Sequence, residues 1–168
     1  TDYDLADATI TSPYYSCMKA PQGFPLDPDK WTKKYTNTAN TSGAVATTWT
    51  NYTNHSLDVP IGSWNLSYQA YLWLYGGVGA TEVIALNGSL TLSTTNNTAS
   101  DTDFNITHAW LSTNYKAYSI YNVYKVDKNI SVSSKTTYYL NYYKTYGAAC
   151  TLRGDRTPAV IRAVCAYL

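Results

Sequence analysis

Residues 63–74, SWNLSYQAYLWL, alternate with a period of two. Trp64, Leu66, Tyr68, Ala70, Leu72 and Leu74 fall on one face, and Asn65, Ser67 and Gln69 on the other. Successive side chains of a strand point to opposite sides, so this stretch predicts a strand with one face in a core. In EVIALNGSLTLST (82–94), Asn87-Gly88 separates two apolar runs, a pair suited to a two-residue hairpin turn. Further strands are expected in 104–111, 117–126, 129–143 and 159–168, where Tyr and β-branched residues dominate. Convincing helical periodicity is absent. Many short strands punctuated by Gly and Asn indicate an all-β fold, an antiparallel sandwich or Greek-key barrel.

The first third of the chain reads differently. Four of the six prolines lie between Pro13 and Pro28, which predicts an irregular, pinned segment. Ahead of it, TDYDLADATITS (1–12) reads as an extended N-terminal arm that packs on its own domain or reaches a neighbour. The expected organisation is this arm followed by a single β-sandwich domain over 13–168.

Composition sharpens the picture. Of the 168 residues only 14% are charged, against roughly 25% in an ordinary soluble protein. The surface is instead supplied by 24 Thr, 14 Ser, 13 Asn and 18 Tyr. A net charge of +1 gives nothing that draws the chain to nucleic acid. No apolar run approaches the roughly 20 residues of a membrane span. A start at Thr1, without a basic or apolar leader, reads as a mature chain after signal-peptide removal, hence a secreted protein.

Eight Asn-x-Ser/Thr triplets occur, at Asn40, Asn51, Asn54, Asn65, Asn87, Asn96, Asn105 and Asn129. Random order in this composition gives about 3. The excess predicts a heavily N-glycosylated surface, because a glycan must sit on solvent-facing backbone. Asn51 and Asn54, only three residues apart, read as a densely shielded loop after Trp49.

Cys17, Cys150 and Cys165 make an odd count, so a secreted chain is expected to hold one pair and a leftover. Cys150 and Cys165 flank the turn-like RGDRTP and are the first choice for a bridge between adjacent strands. The rival joins Cys17 to either. Catalytic chemistry finds no footing: His55 and His108 have structural readings, and no GxSxG or HExxH motif occurs. Glu82, the single glutamate, has no marked partner for glycosidase work. The expectation is no enzyme activity, no metal and no cofactor beyond covalent N-glycans. Arg153-Gly154-Asp155 matches the triplet that integrins read, and the Tyr pairs at 138–139 and 142–143 could stack on sugar rings or pack a core.

The weakly charged, eight-sequon composition and the short extended arm before a β-domain resemble the archaeal thread filament subunit. That resemblance implies an immunoglobulin-like, type I pilin-like sandwich completed by a strand from the next subunit. It implies an extracellular, pilus-like surface filament with a role in adhesion and biofilm, whose partners are identical subunits. DYDLADATI would be the donor, through Tyr3, Leu5, Ala6, Ala8 and Ile10. The alternative is a receptor- or glycan-binding head of a virus fibre or surface adhesin, with cell-surface or host glycans as partners.

Overall fold

The computed structural model of the protein describes residues 31–42, 47–76, 84–112, 119–144 and 148–166. The arm residues Tyr3, Leu5, Ala6, Ala8 and Ile10, together with Cys17 and Glu82, lie outside these. Ten strands follow in chain order: β1 (Thr32–Asn37), β2 (Asn40–Ser42), β3 (Thr50–Val59), β4 (Gly62–Gly76) and β5 (Ile84–Ser93). Then come β6 (Ile106–Ser112), β7 (Ser119–Val132), β8 (Thr136–Lys144), β9 (Ala148–Arg153) and β10 (Ala159–Cys165). All pairings are antiparallel.

β4 carries the alternation read from the sequence. Trp64, Leu66, Tyr68, Ala70, Leu72 and Leu74 are all buried, and the residues between them are half-buried. One edge of β4 pairs with β7 from Gly62 to Tyr75. The other edge is shared by two strands laid end to end, β10 against 64–69 and β9 against 72–76. Beyond them, β1 pairs with β10 and β2 with β9. This sheet is therefore four positions wide: β7, β4, β9/β10, β2/β1. The second sheet has the order β3-β8-β5-β6. Counted as eight strands, the order is that of a double Greek key, the jelly roll. The all-β antiparallel sandwich expected from the sequence is thus what the chain builds.

The facing inner surfaces bring Leu66 and Leu72 of the first sheet together with Leu90, Leu92, Leu140 and Tyr142 of the second in one core. Tyr68 crosses between the sheets, its hydroxyl facing Leu90 O at 3.1 Å and Phe104 O at 2.8 Å. The Tyr pairs split by alternation: Tyr138 and Tyr142 are buried in the core, while Tyr139 and Tyr143 face outward.

Three expectations are corrected. Asn87-Gly88 makes no hairpin; β5 runs straight through it. The glycine serves close sheet contact instead, since a β-carbon on Gly88 would stand 2.6 Å from Leu74 Cδ1 and 2.9 Å from Leu72 Cδ2. The stretches 117–126 and 129–143 divide elsewhere: β7 continues to Val132, and the turn falls at Ser133–Lys135. Cys150 and Cys165 are not on adjacent strands. They oppose Leu74 and Trp64, ten residues apart along β4, or about 33 Å at the rise of a strand. No bridge joins the two, because a disulfide needs α-carbons within about 7 Å.

Gly88→Ala is expected to destabilise by about 1–3 kcal/mol, because Leu72 and Leu74 are themselves packed. Urea unfolding would read this as a lower midpoint at constant slope. An unchanged midpoint would mean that the facing leucines yield freely.

Candidate functional site: the outer faces of the sandwich

The expected sugar acceptors occupy different environments. Asn40, Asn96, Asn105 and Asn129 are exposed, and Asn51, Asn65 and Asn87 are half-buried. Asn54 lies in β3, with its side chain outside the described residues. Asn65 and Asn129 are direct cross-strand partners on the outer face of β4 and β7, and Asn65 Nδ2 donates to Asn129 Oδ1 at 3.1 Å. Two triplets distant in sequence are thus side by side.

The pair at 51 and 54 is not a loop but the middle of β3, where the pairing with β8 slips between Asn51 and Ser56. Four residues of β3 there, 52–55, face the single Leu140 of β8, so backbone groups need other partners. Asn51 Nδ2 donates to both His55 O and Leu140 O, each at 3.0 Å. Both of its amide hydrogens are therefore spent on backbone. Asn51 N in turn donates to Asn97 Oδ1 at 2.6 Å. Asn97 holds a left-handed conformation with φ of 58°, which asparagine tolerates.

Residues 94–100 fold as a cover over this outer face. Asn141, fully buried on the central strand β8, donates through Nδ2 to Thr95 O at 3.1 Å and Thr98 O at 2.7 Å. Ser93, also buried, shares hydroxyl contacts with Thr98 and Ser100. Asn96 stands exposed on the cover while Asn51 is pinned beneath it.

The RGD triplet connects the collinear strands β9 and β10 and forms no hairpin. Gly154 is buried against the kink between β1 and β2, where an added β-carbon would stand 2.5 Å from Ala39 O. Arg153 turns back on Asp155, Nε to Oδ1 at 2.8 Å and Nη2 to Oδ2 at 2.7 Å. The two charged ends of the triplet are thus spent on one another. This fork draws the Asp155 carboxyl down to about 2, and Asp155 N separately donates to Asn40 Oδ1 at 3.3 Å.

Elsewhere charges are also paired. Lys128 points inward from β7 to Asp101 at 3.0 Å and Asp103 at 2.6 Å. The Asp103 and Asp101 hydrogen bonds push its ammonium above the usual range. Burial pushes the Cys150 thiol up to about 12, so it is no nucleophile. His55 is buried between β1 and β3, its Nε2 2.9 Å from Asn37 Nδ2 and its ring 5.5 Å from that of Tyr35. His108 lies in β6. Among the described residues no three His, Cys, Asp or Glu converge as a metal site would require.

The outer face of the β4 sheet differs from the rest. Lys34, Arg162, Ser67 and Asp127 form one cross-strand row over β1, β10, β4 and β7; Thr36, Val160, Gln69 and Lys125 form the next. Thr32, Lys34, Ser67, Gln69, Lys125 and Arg162 line a shallow open depression. Lys34, Lys125 and Arg162 hold no ion pair among the described residues, whereas Lys128, Lys135 and Arg153 each hold an aspartate. Sequence reading missed this cluster, because its members come from four strands spread over 130 residues. Only the register joins them.

No family model matches the chain, and no curated protein does. Solved structures with some likeness include the infectious bursal disease virus VP2 subviral particle, at TM-score 0.34 and 16% identity. That match covers 83% of this chain and 40% of the other. The structure of the Gx strain of the same virus gives TM-score 0.33 and 15% identity, over 79% and 37%. The chain thus spans about two fifths of the length of those proteins.

Asn51→Asp puts an acceptor where two carbonyls need a donor, and is expected to cost about 2–3 kcal/mol in urea unfolding. Asn96→Asp, on the exposed cover, should change stability by less than about 0.5 kcal/mol. Equal effects would remove the structural role of Asn51. Asp155 should titrate in carbon-detected NMR with a midpoint near 2, as drawn down by its Arg153 fork. Because the folded value is depressed, its contribution is complete above about pH 4 and is lost as pH falls through 2. Arg153→Ala should return the midpoint toward about 3.9.

Proposed function

We propose that the chain is a structural subunit of a secreted, extracellular, N-glycosylated filament, linked to identical copies through residues 1–12. The observation that carries this reading is the free edge of β7. This strand is 14 residues long, and among the described residues it pairs with β4 alone. An unpaired edge of that length is a template for an added strand, which gains main-chain hydrogen bonds along it.

The described residues already give each sheet four positions, so a donated arm would extend an edge rather than fill a vacant slot. Two of the other edges carry features that oppose pairing: Lys33 and Lys34 on β1, and the register slip of β3. On β7 the inward Lys128 guards the second half, leaving the first half for the arm. Inward charges and lysines on edges are known means of blocking strand addition. The hydroxyl- and amide-rich exterior suits a surface polymer, and glycans would restrict which edges meet.

A second reading, a binding head of a virus fibre or adhesin, draws on strand order. Jelly rolls serve capsid and lectin domains, an analogy of architecture alone. Negative-stain electron microscopy of protein from its native source separates the two. Fibres are expected, and deletion of residues 1–12 should abolish them while leaving a soluble β-rich domain. Discrete particles from the full chain, or fibres that survive the deletion, would overturn the filament reading.

A further inference from the structure

We infer that the depression on the outer face of the β4 sheet is a binding site for an acidic saccharide, one carrying carboxylate or sulfate groups. Three observations converge on it. First, Lys34, Lys125 and Arg162 are the cations of these two cross-strand rows and are without an ion pair among the described residues, with Asp127 the one carboxylate in the rows. In a chain of 14% charged residues, in which Asp58, Asp101, Asp103 and Asp155 are all paired, such a surplus is local rather than general.

Second, the cations are spread across the sheet rather than stacked at a point. Lys34 and Lys125 are three strand steps apart, roughly 14 Å at the usual spacing, with Arg162 between them. That geometry fits an extended ligand bearing several anionic groups, not a single small ion. Arg162 offers a planar fork that matches a carboxylate or sulfate, and the lysines offer compact charges on flexible stems.

Third, the floor between the cations is made of groups that bind sugar hydroxyls. Ser67 and Gln69 lie along β4, with Thr32 at one side. The same strand face continues to Tyr71 and Trp73, both half-buried and outward, with Arg153 5.2 Å from the Trp73 ring. Polar groups leading onto aromatic faces are the elements of a saccharide track. The Asn65–Asn129 pair borders the depression, so a sugar carried there frames it on one side.

The test is surface plasmon resonance of the full protein over immobilised heparin and polygalacturonate, with neutral dextran as reference. The acidic polymers should bind and dextran should not, and binding should weaken steeply with salt. The triple variant Lys34→Gln, Lys125→Gln, Arg162→Gln should lose on the order of 100-fold in affinity for both, from lost charge-assisted hydrogen bonds. A charge-matched control, Lys33→Gln, Lys135→Gln, Arg156→Gln, should bind as the parent does. Equal losses in the two variants would overturn the site in favour of diffuse charge attraction, and absence of binding to both polymers would overturn it outright. Capture of the acidic peptide TDYDLADATITS at this face, with no polymer bound, would reassign it to an arm of another copy. None of these readouts depends on filament formation, so the site and the assembly reading stand or fall separately.

Discussion

The hydrogen-bond ladder of β4 is the constraint on which the rest of the sandwich depends. Its 15 residues hold β7 along one edge and two separate strands along the other. A slip of one residue would carry Trp64 through Leu74 to solvent and the intervening polar residues into the core. The register of four strands is therefore set by one strand's alternation. Because β9 and β10 each have their own purchase on β4, the chain between them is free to leave the sheet, and it does so at RGDRTP without weakening the layer.

Interruptions of the ladder are repaired by side-chain amides. Asn37 supplies Oδ1 to Ala39 N at the kink between β1 and β2 and reaches His55 with its nitrogen. Asn51 bridges the slipped register of β3, and Asn141 holds the cover over the second sheet. An asparagine side chain presents the same donor and acceptor as a peptide group, so it can stand in where a strand has run out of partners. The abundance of asparagine thus has two causes in this chain. Some residues, such as Asn96 and Asn105, stand exposed at the surface, and others act as spare backbone.

That double use explains what the sequence could and could not convey. β4 was legible because alternation is a local property and its two faces meet very different surroundings. Asn87-Gly88 misled because turn preference is local while the need for a glycine there is tertiary: Leu72 and Leu74 press against it from the other sheet. The Cys150–Cys165 expectation failed for a similar reason, since nearness in sequence across a turn says nothing about whether two strands lie side by side or end to end. Asn51 and Asn96 carry the same triplet yet differ in burial, which only the slipped register reveals. The cationic face left no trace in any window, since Lys34, Lys125 and Arg162 meet only across paired strands.

The cover formed by residues 94–100 has a consequence for how the folded chain meets proteases. Exposed tips built of small polar residues are where proteases usually nick a chain. This one is held down at Thr95 and Thr98 by a buried amide and at Ser100 by hydroxyls. It also lies in an uninterrupted stretch, from Tyr35 to Tyr115, without a single lysine or arginine. Enzymes of trypsin's specificity therefore have no cleavable bond anywhere in β2 to β6, and half the sandwich is closed to them by composition as well as by shape.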